Sequence, residues 1–140
     1  MSETRSHVPV TNENVQEIYE DLFAPWVKAM GLINIKVSKG KASAILPQKP
    51  ELQWASGAIC GQVIMSAVDT VVALAMTTTE RQAKGTASQN TQFLRPALTE
   101  DLLIEVNVLK FGKVIAYAET SVKFVNSGKL VAHSTAEFVF

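Results

Sequence analysis

Cysteine is nearly absent from this 140-residue chain: Cys60 is the only one, so no intramolecular disulfide can form and no thiolate-rich metal site can assemble. Excess charge of either sign is missing too. The 13 lysines and arginines balance 13 aspartates and glutamates, with no basic block, which argues against nucleic acid or an anionic membrane as the main partner. The first ten residues, Met1 to Val10, lack the apolar run of a signal peptide, so the expectation is a soluble, cytoplasmic protein. Internal repeats, linkers and low-complexity segments are likewise missing. The length suits one domain over residues 1–140, able to bury about two-thirds of its unfolded surface.

The most informative absence is local. Over residues 52–79 the overall composition would supply about five charged side chains, and there is one, Asp69. A membrane span is a poor account of this gap. Its most apolar part, 59–76, is barely long enough and contains Gly61, Gln62, Ser66, Asp69 and Thr70. A carboxylate near the middle of a lone span would cost about 3 kcal/mol even on the lenient insertion scale. A buried helix is the better reading.

Around that stretch the pattern is regular. Asn12 and Asn14 are candidate caps for a helix through Phe23, because Val15, Ile18, Tyr19, Leu22 and Phe23 recur at three- and four-residue spacing. Pro25 and Gly31 punctuate the chain. Residues 32–38 and 41–46 read as two strands joined by the Lys39-Gly40 turn, and Pro47 and Pro50 bound an irregular segment. Residues 63–76 lack period-two alternation and exceed strand length, which predicts a helix despite four valines and an isoleucine. Its apolar residues fall on every face and leave no solvated side, so other structure should wrap it. Four further strands are predicted at 86–94, 102–110, 114–125 and 130–140. The third sets Val114, Ala116, Ala118, Val122 and Phe124 on one face. Six strands and one apolar helix imply an α+β fold, an antiparallel sheet curled around that helix.

A lone carboxylate in an apolar helix needs a reason. Desolvation disfavours its charged form unless a partner compensates, so Asp69 either meets an arginine or caps a loop, or it belongs to a site. Upstream, Gly57 and Gly61 precede the helix. A helix start offers unpaired N–H groups and a positive dipole end able to hold a developing oxyanion, and Gly61 lets a ligand approach the backbone closely. Gly61 and Asp69 are eight residues apart, about 12 Å along a helix. One carbonyl, about 3 Å from each group, cannot be reached by both within one chain. If they cooperate, Asp69 must serve the Gly61 of another subunit, in a dimer with antiparallel helices and two sites.

The segment from Gly57 through Cys60, Gly61 and Gln62 to Asp69, followed by Asn90-Thr-Gln-Phe-Leu-Arg-Pro96, resembles the hotdog-fold acyl-CoA thioesterases of the phenylacetate-degradation (PaaI-like) type. Their pattern is Gly-x-x-His-Gly-Gly, six residues, then Asp, and later a Phe-Leu-Arg-Pro-like turn. The order of helix, two strands, long helix and four strands also matches. The resemblance implies a hotdog fold, a homodimer or dimer of dimers, and hydrolysis of acyl-CoA, with coenzyme A as part of the substrate and no metal or other cofactor. It implies that the Gly61 N–H polarises the thioester carbonyl and that Asp69 of the neighbouring subunit activates water or attacks directly. A hydroxyl residue that helps place the water falls at Thr86 counting back from Pro96, or at Ala87 counting forward from Asp69. The chain also departs from the pattern. Cys60 stands in place of His and Gln62 in place of the second Gly. Trp54 occupies the position of an Asn or Gln that assists the oxyanion hole, with Gln53 beside it as a substitute. Gly57, Met65 and Arg95 complete the expected substrate contacts.

Other candidates are weighed on chemistry alone. Cys60 with His133 as base would make a nucleophile pair, against the reading of a small core residue. His133 and His7 lack partners at metal-ligand spacing. Arg81, Lys84 and Arg95 are candidates for coenzyme phosphates, or solvated charges at strand ends. Met65 and Met76 suit core or pocket wall. The rival functions are a non-catalytic acyl-binding protein on the same fold and a hotdog hydratase or dehydratase, the latter disfavoured by the lack of a His near the helix start.

Overall fold

The computed structural model of the chain describes residues 7–140; residues 1–6, on which part of the N-terminal reading rests, lie outside the described residues. The first helix, α1 (Val15–Leu22), buries Val15, Ile18 and Tyr19. The two asparagines expected to cap it do something else. Asn14 Oδ1 accepts the N–H of Thr11 at 2.7 Å, and Asn12 Oδ1 accepts the N–H of Val37 at 2.8 Å, tying the helix approach to the first strand. The helix also stops one residue short of Phe23. Ala24 precedes Pro25 and must be extended, and Phe23 is extended as well. Pro25, read only as punctuation, opens a four-residue helix, α2 (Pro25–Lys28), where a missing N–H is harmless at the first position.

The hairpin β1 (Ile33–Ser38) and β2 (Lys41–Leu46) turns at Gly40, whose φ of 72° suits glycine. A 3₁₀ turn at Pro50–Leu52 leads to the long helix α3 (Gly61–Met76), which starts two residues earlier than predicted. Then come β3 (Gly85–Phe93), β4 (Leu102–Phe111), β5 (Ile115–Phe124) and β6 (Leu130–Val139). The six strands form one antiparallel sheet in the order β1-β2-β4-β5-β6-β3. This is the expected α+β arrangement, with α3 packed chiefly on β4 and β2. Among the described residues, no helix is long and apolar enough to cross a membrane.

The core lies between α3 and one face of the sheet. Val68, Val71, Val72, Leu74 and Met76 are fully buried there with Leu46, Leu102, Ile104, Val122 and Val131. Each such side chain stabilises the fold by about 2 kcal/mol through burial. Met76 is therefore core and not pocket wall. On β5, Ala116, Ala118, Thr120 and Val122 point inward with Phe124 half-buried, while Val114 precedes the strand and is exposed, contrary to expectation. The helix departs from expectation as well. Gln62 and Met65 are exposed and Ser66, Asp69 and Ala73 half-buried, so one stripe of α3 is open in the single chain.

Candidate functional site

The open stripe of α3 contains both residues singled out by spacing. Gly61 is the first residue of the helix, and no side chain caps its N-terminal turn. The ring of Phe93, from the end of β3, lies against it: a Cβ at position 61 would stand 3.3 Å from the Phe93 ring. Two turns along, Asp69 is half-buried rather than sealed in the core, and its Oδ1 accepts a hydrogen bond from Thr86 Oγ1 at 2.5 Å. That answers the question a lone carboxylate raised. The partner that compensates it is a hydroxyl, not an arginine.

The choice between Thr86 and Ala87 is made by strand geometry. Gln89, Thr91 and Phe93 alternate on β3 opposite the buried Ala136, Ser134 and Ala132, so they share the face turned to α3. Strict alternation would next bring Ala87 to that face. The register slips between Thr86 and Ser88, however, with Thr86 opposite Phe138 and Ser88 opposite Glu137, leaving Ala87 as the extra residue of a bulge. A bulge re-aims the side chains that precede it, and here it swings Thr86 toward Asp69. Further along β3, Gln89 Nε2 donates to the Met65 carbonyl at 3.3 Å, fastening the strand to the middle of the stripe.

A cleft of about 490 Å³ opens at the helix start, between the 54–59 loop and the 93–98 segment, with Ile59, Gly61 and Ile64 in its lining. Trp54, 61% exposed, forms one wall, and Gly57 holds the tight turn beneath it with φ 91° and its N–H on the Trp54 carbonyl at 2.9 Å. Arg95 forms another wall, with Nη1 bonded to the Leu130 carbonyl at 2.8 Å. Gln53, beside Trp54, donates from Nε2 to Gln48 Oε1 at 2.8 Å and is not part of the cleft lining. On the opposite flank of the stripe, a groove of about 340 Å³ separates α2 from Gln62, Val63 and Ser66 of α3.

Several expected candidates fall away from this region. Cys60 immediately precedes α3, half-buried, while His133 alternates with the buried Ala132 and Ser134 and so faces the other side of the sheet, 3.6 Å from Glu119. The sheet separates the two, which excludes a Cys60–His133 pair. Arg81 is engaged by the carbonyls of Gly112 and Lys113 and by the Phe140 ring at 4.2 Å, a clamp and not a phosphate site. Among the described residues no group of three His, Cys, Asp or Glu side chains gathers as metal ligands would. Sequence reasoning missed Phe93 as a neighbour of Gly61 and the groove beside α2. The first was quoted only as part of a turn motif, and the second depends on a helix too short to show periodicity.

Comparison with known proteins adds to this geometry. A family model described as the thioesterase superfamily matches residues 57–130. The chain is similar to acyl-coenzyme A thioesterase 13 of Homo sapiens, 31% identical over 100 residues that cover 70% of this chain and 71% of that protein. Among solved structures it is similar to thioesterase superfamily member 2 of zebra fish, with TM-score 0.83, 23% identity, and coverage of 93% of this chain and 98% of that one. It is also similar to the PaaI protein of the E. coli phenylacetic acid degradation operon, with TM-score 0.81, 21% identity, and coverage of 91% and 90%. The structural likenesses speak to the fold, which is the hotdog arrangement.

Proposed function

The chain belongs to the thioesterase superfamily, of the PaaI-like hotdog type, and is a thioesterase; from that premise we propose that it hydrolyses acyl-CoA at a site shared by two copies of the chain. The thioester carbonyl accepts the N–H of Gly61 at the positive end of α3. Asp69 of the partner subunit, held at Oδ1 by Thr86, either takes a proton from water as it attacks or attacks the carbonyl itself and is released by water. Either way a C–O bond forms, the C–S bond breaks, and the proton leaves with the coenzyme thiolate. A well-placed N–H on the oxyanion is worth about 3 kcal/mol of barrier.

The observation that carries the reading is the Thr86–Asp69 hydrogen bond at 2.5 Å, two turns of α3 away from the uncapped Gly61. Within one chain the two groups stand about 12 Å apart, too far for one carbonyl. A second copy resolves this. Met65 is midway between Gly61 and Asp69, Gln89 is midway along β3, and the two midpoints are hydrogen-bonded. A two-fold axis beside that pair would run α3 antiparallel to its copy and β3 edge to edge with its copy. It would carry the Asp69–Thr86 pair of one subunit to the Gly61–Phe93 pair of the other. The outer edge of β3 is suited to this: the strand pairs only with β6 and contains no Lys, Glu or Pro to discourage pairing.

The test is release of thiol from a series of acyl-CoAs by wild type and Asp69→Asn, together with a mass measurement in solution. Loss of turnover in the variant and a dimer at working concentration are expected. Equal rates for the two proteins would end the catalytic claim, and a monomer that retained full activity would end the shared site.

A further inference from the structure

The two hollows that flank the start of α3 are both mostly apolar but differ in the sign of the one charge in their walls, and a thioester has two arms. The larger cleft contains Gly61, opens past Trp54 and Ser56, and is walled mainly by apolar side chains such as Ile59, Ile64, Phe93 and Leu98; its one charged side chain is Arg95, with Nη1 on the Leu130 carbonyl. The groove on the other flank begins one residue on, at Gln62 and Val63, and runs under α2. Its apolar lining is Trp26, Ala29, Met30, Leu52 and Val63, and the only charged side chain in its wall is the carboxylate of Glu51. Trp26 is 65% exposed here, a large apolar surface left open beside the helix stripe.

We infer that the groove between α2 and α3 is the acyl subsite and takes a neutral, apolar acyl chain, an assignment that rests on the proposed acyl-CoA reaction at Gly61. From a carbonyl bound at the Gly61 N–H, the sulfur arm carries amides and then phosphates, and it leaves by the cleft that offers solvent and Arg95. The acyl arm crosses Gln62 into the groove, where apolar walls favour methylenes and Glu51 repels a terminal carboxylate. Gln62, which stands where the family pattern has glycine, forms the sill between carbonyl and groove. Trp26 is then the outer wall of a pocket, which accounts for an exposed tryptophan on a four-residue helix.

Binding of non-hydrolysable S-alkyl-CoA thioethers, measured by calorimetry, tests this without requiring turnover. Burial of each added methylene should tighten binding roughly fourfold, so S-hexyl-CoA should bind wild type at least tenfold more tightly than S-ethyl-CoA. The same six-carbon chain ending in a carboxylate should lose at least tenfold. Ala29→Trp, at an exposed position that fills the groove without disturbing the core, should bring the hexyl-to-ethyl ratio to within about twofold of one. Trp26→Ala, which removes a wall, should reduce the ratio severalfold and serves if the first variant folds poorly. No chain-length preference in wild type, or the same preference in both variants, overturns the assignment. If the ratios behave as expected while no acyl-CoA is hydrolysed, the subsite stands and the proposed reaction falls.

Discussion

The two faces of α3 are built from the same stretch of sequence and do opposite work. Inward, Val68, Val71, Val72, Leu74 and Met76 have no exposure and tie the helix to the sheet. Outward, Gln62 and Met65 are exposed and Ser66 and Asp69 half-buried, and there Thr86 meets the Asp69 carboxylate. The contrast teaches that the missing charge in residues 52–79 has two causes. One face excludes charge because it is core. The other, on the proposed reading, excludes it because a second copy and a substrate cover it.

This comparison predicts that the faces fail differently. Asp69→Asn should lower kcat by about a thousandfold, the scale of a lost general base or nucleophile, with thermal stability nearly unchanged because the side chain is half open. Leu74→Ala should do the reverse, costing about 3 kcal/mol in a denaturant titration while leaving turnover per folded molecule intact. A stability loss from Asp69→Asn as large as that of Leu74→Ala would break the division between the faces. Thr86→Ala should reduce kcat by about tenfold through loss of one hydrogen bond, and Thr86→Ser should restore most of it. Deleting Ala87 should cost less than Thr86→Ala, because without the extra residue Thr86 still stands opposite Phe138 and becomes the next residue on the face turned to α3. Smallest is Gly61→Ala. The new Cβ would press on the Phe93 ring, which must give by a few tenths of an ångström. The expected effect is a severalfold loss of kcat/KM, recovered when Phe93→Ala is added; no recovery would mean that Phe93 does not shape that approach.

Much of the fold was legible before the structure. The strands alternate, the Lys39-Gly40 turn has its glycine, and the length and composition of α3 fit a helix packed on a core, though not its open stripe. What was misread is short or depends on neighbours. α2 has four residues, too few for a period; Asn12 bonds to the backbone of Val37, which sequence spacing cannot bring near, and Asn14 turns back to Thr11 instead of capping the helix. Val114 shared the apolar character of its strand but fell outside it, since strand ends are set by where pairing stops. For the candidate site, Gly61 and Asp69 were visible as a glycine at a helix start and a solitary carboxylate. The hydrogen bond of Gln53 to Gln48 was not, because it depends on how the 48–53 segment folds back.

The sequence by itself determined the helix, its solitary acid and the separation of that acid from Gly61, because helical rise converts residue number directly into distance. It could not choose between Thr86 and Ala87, nor foresee Phe93 against Gly61 or the groove under α2. Those depend on one extra residue in β3 and on how β3 and α2 lie against α3. Side-chain direction in a strand reverses with every residue, so a single bulge decides which group reaches the carboxylate, and only the folded sheet shows where that bulge sits.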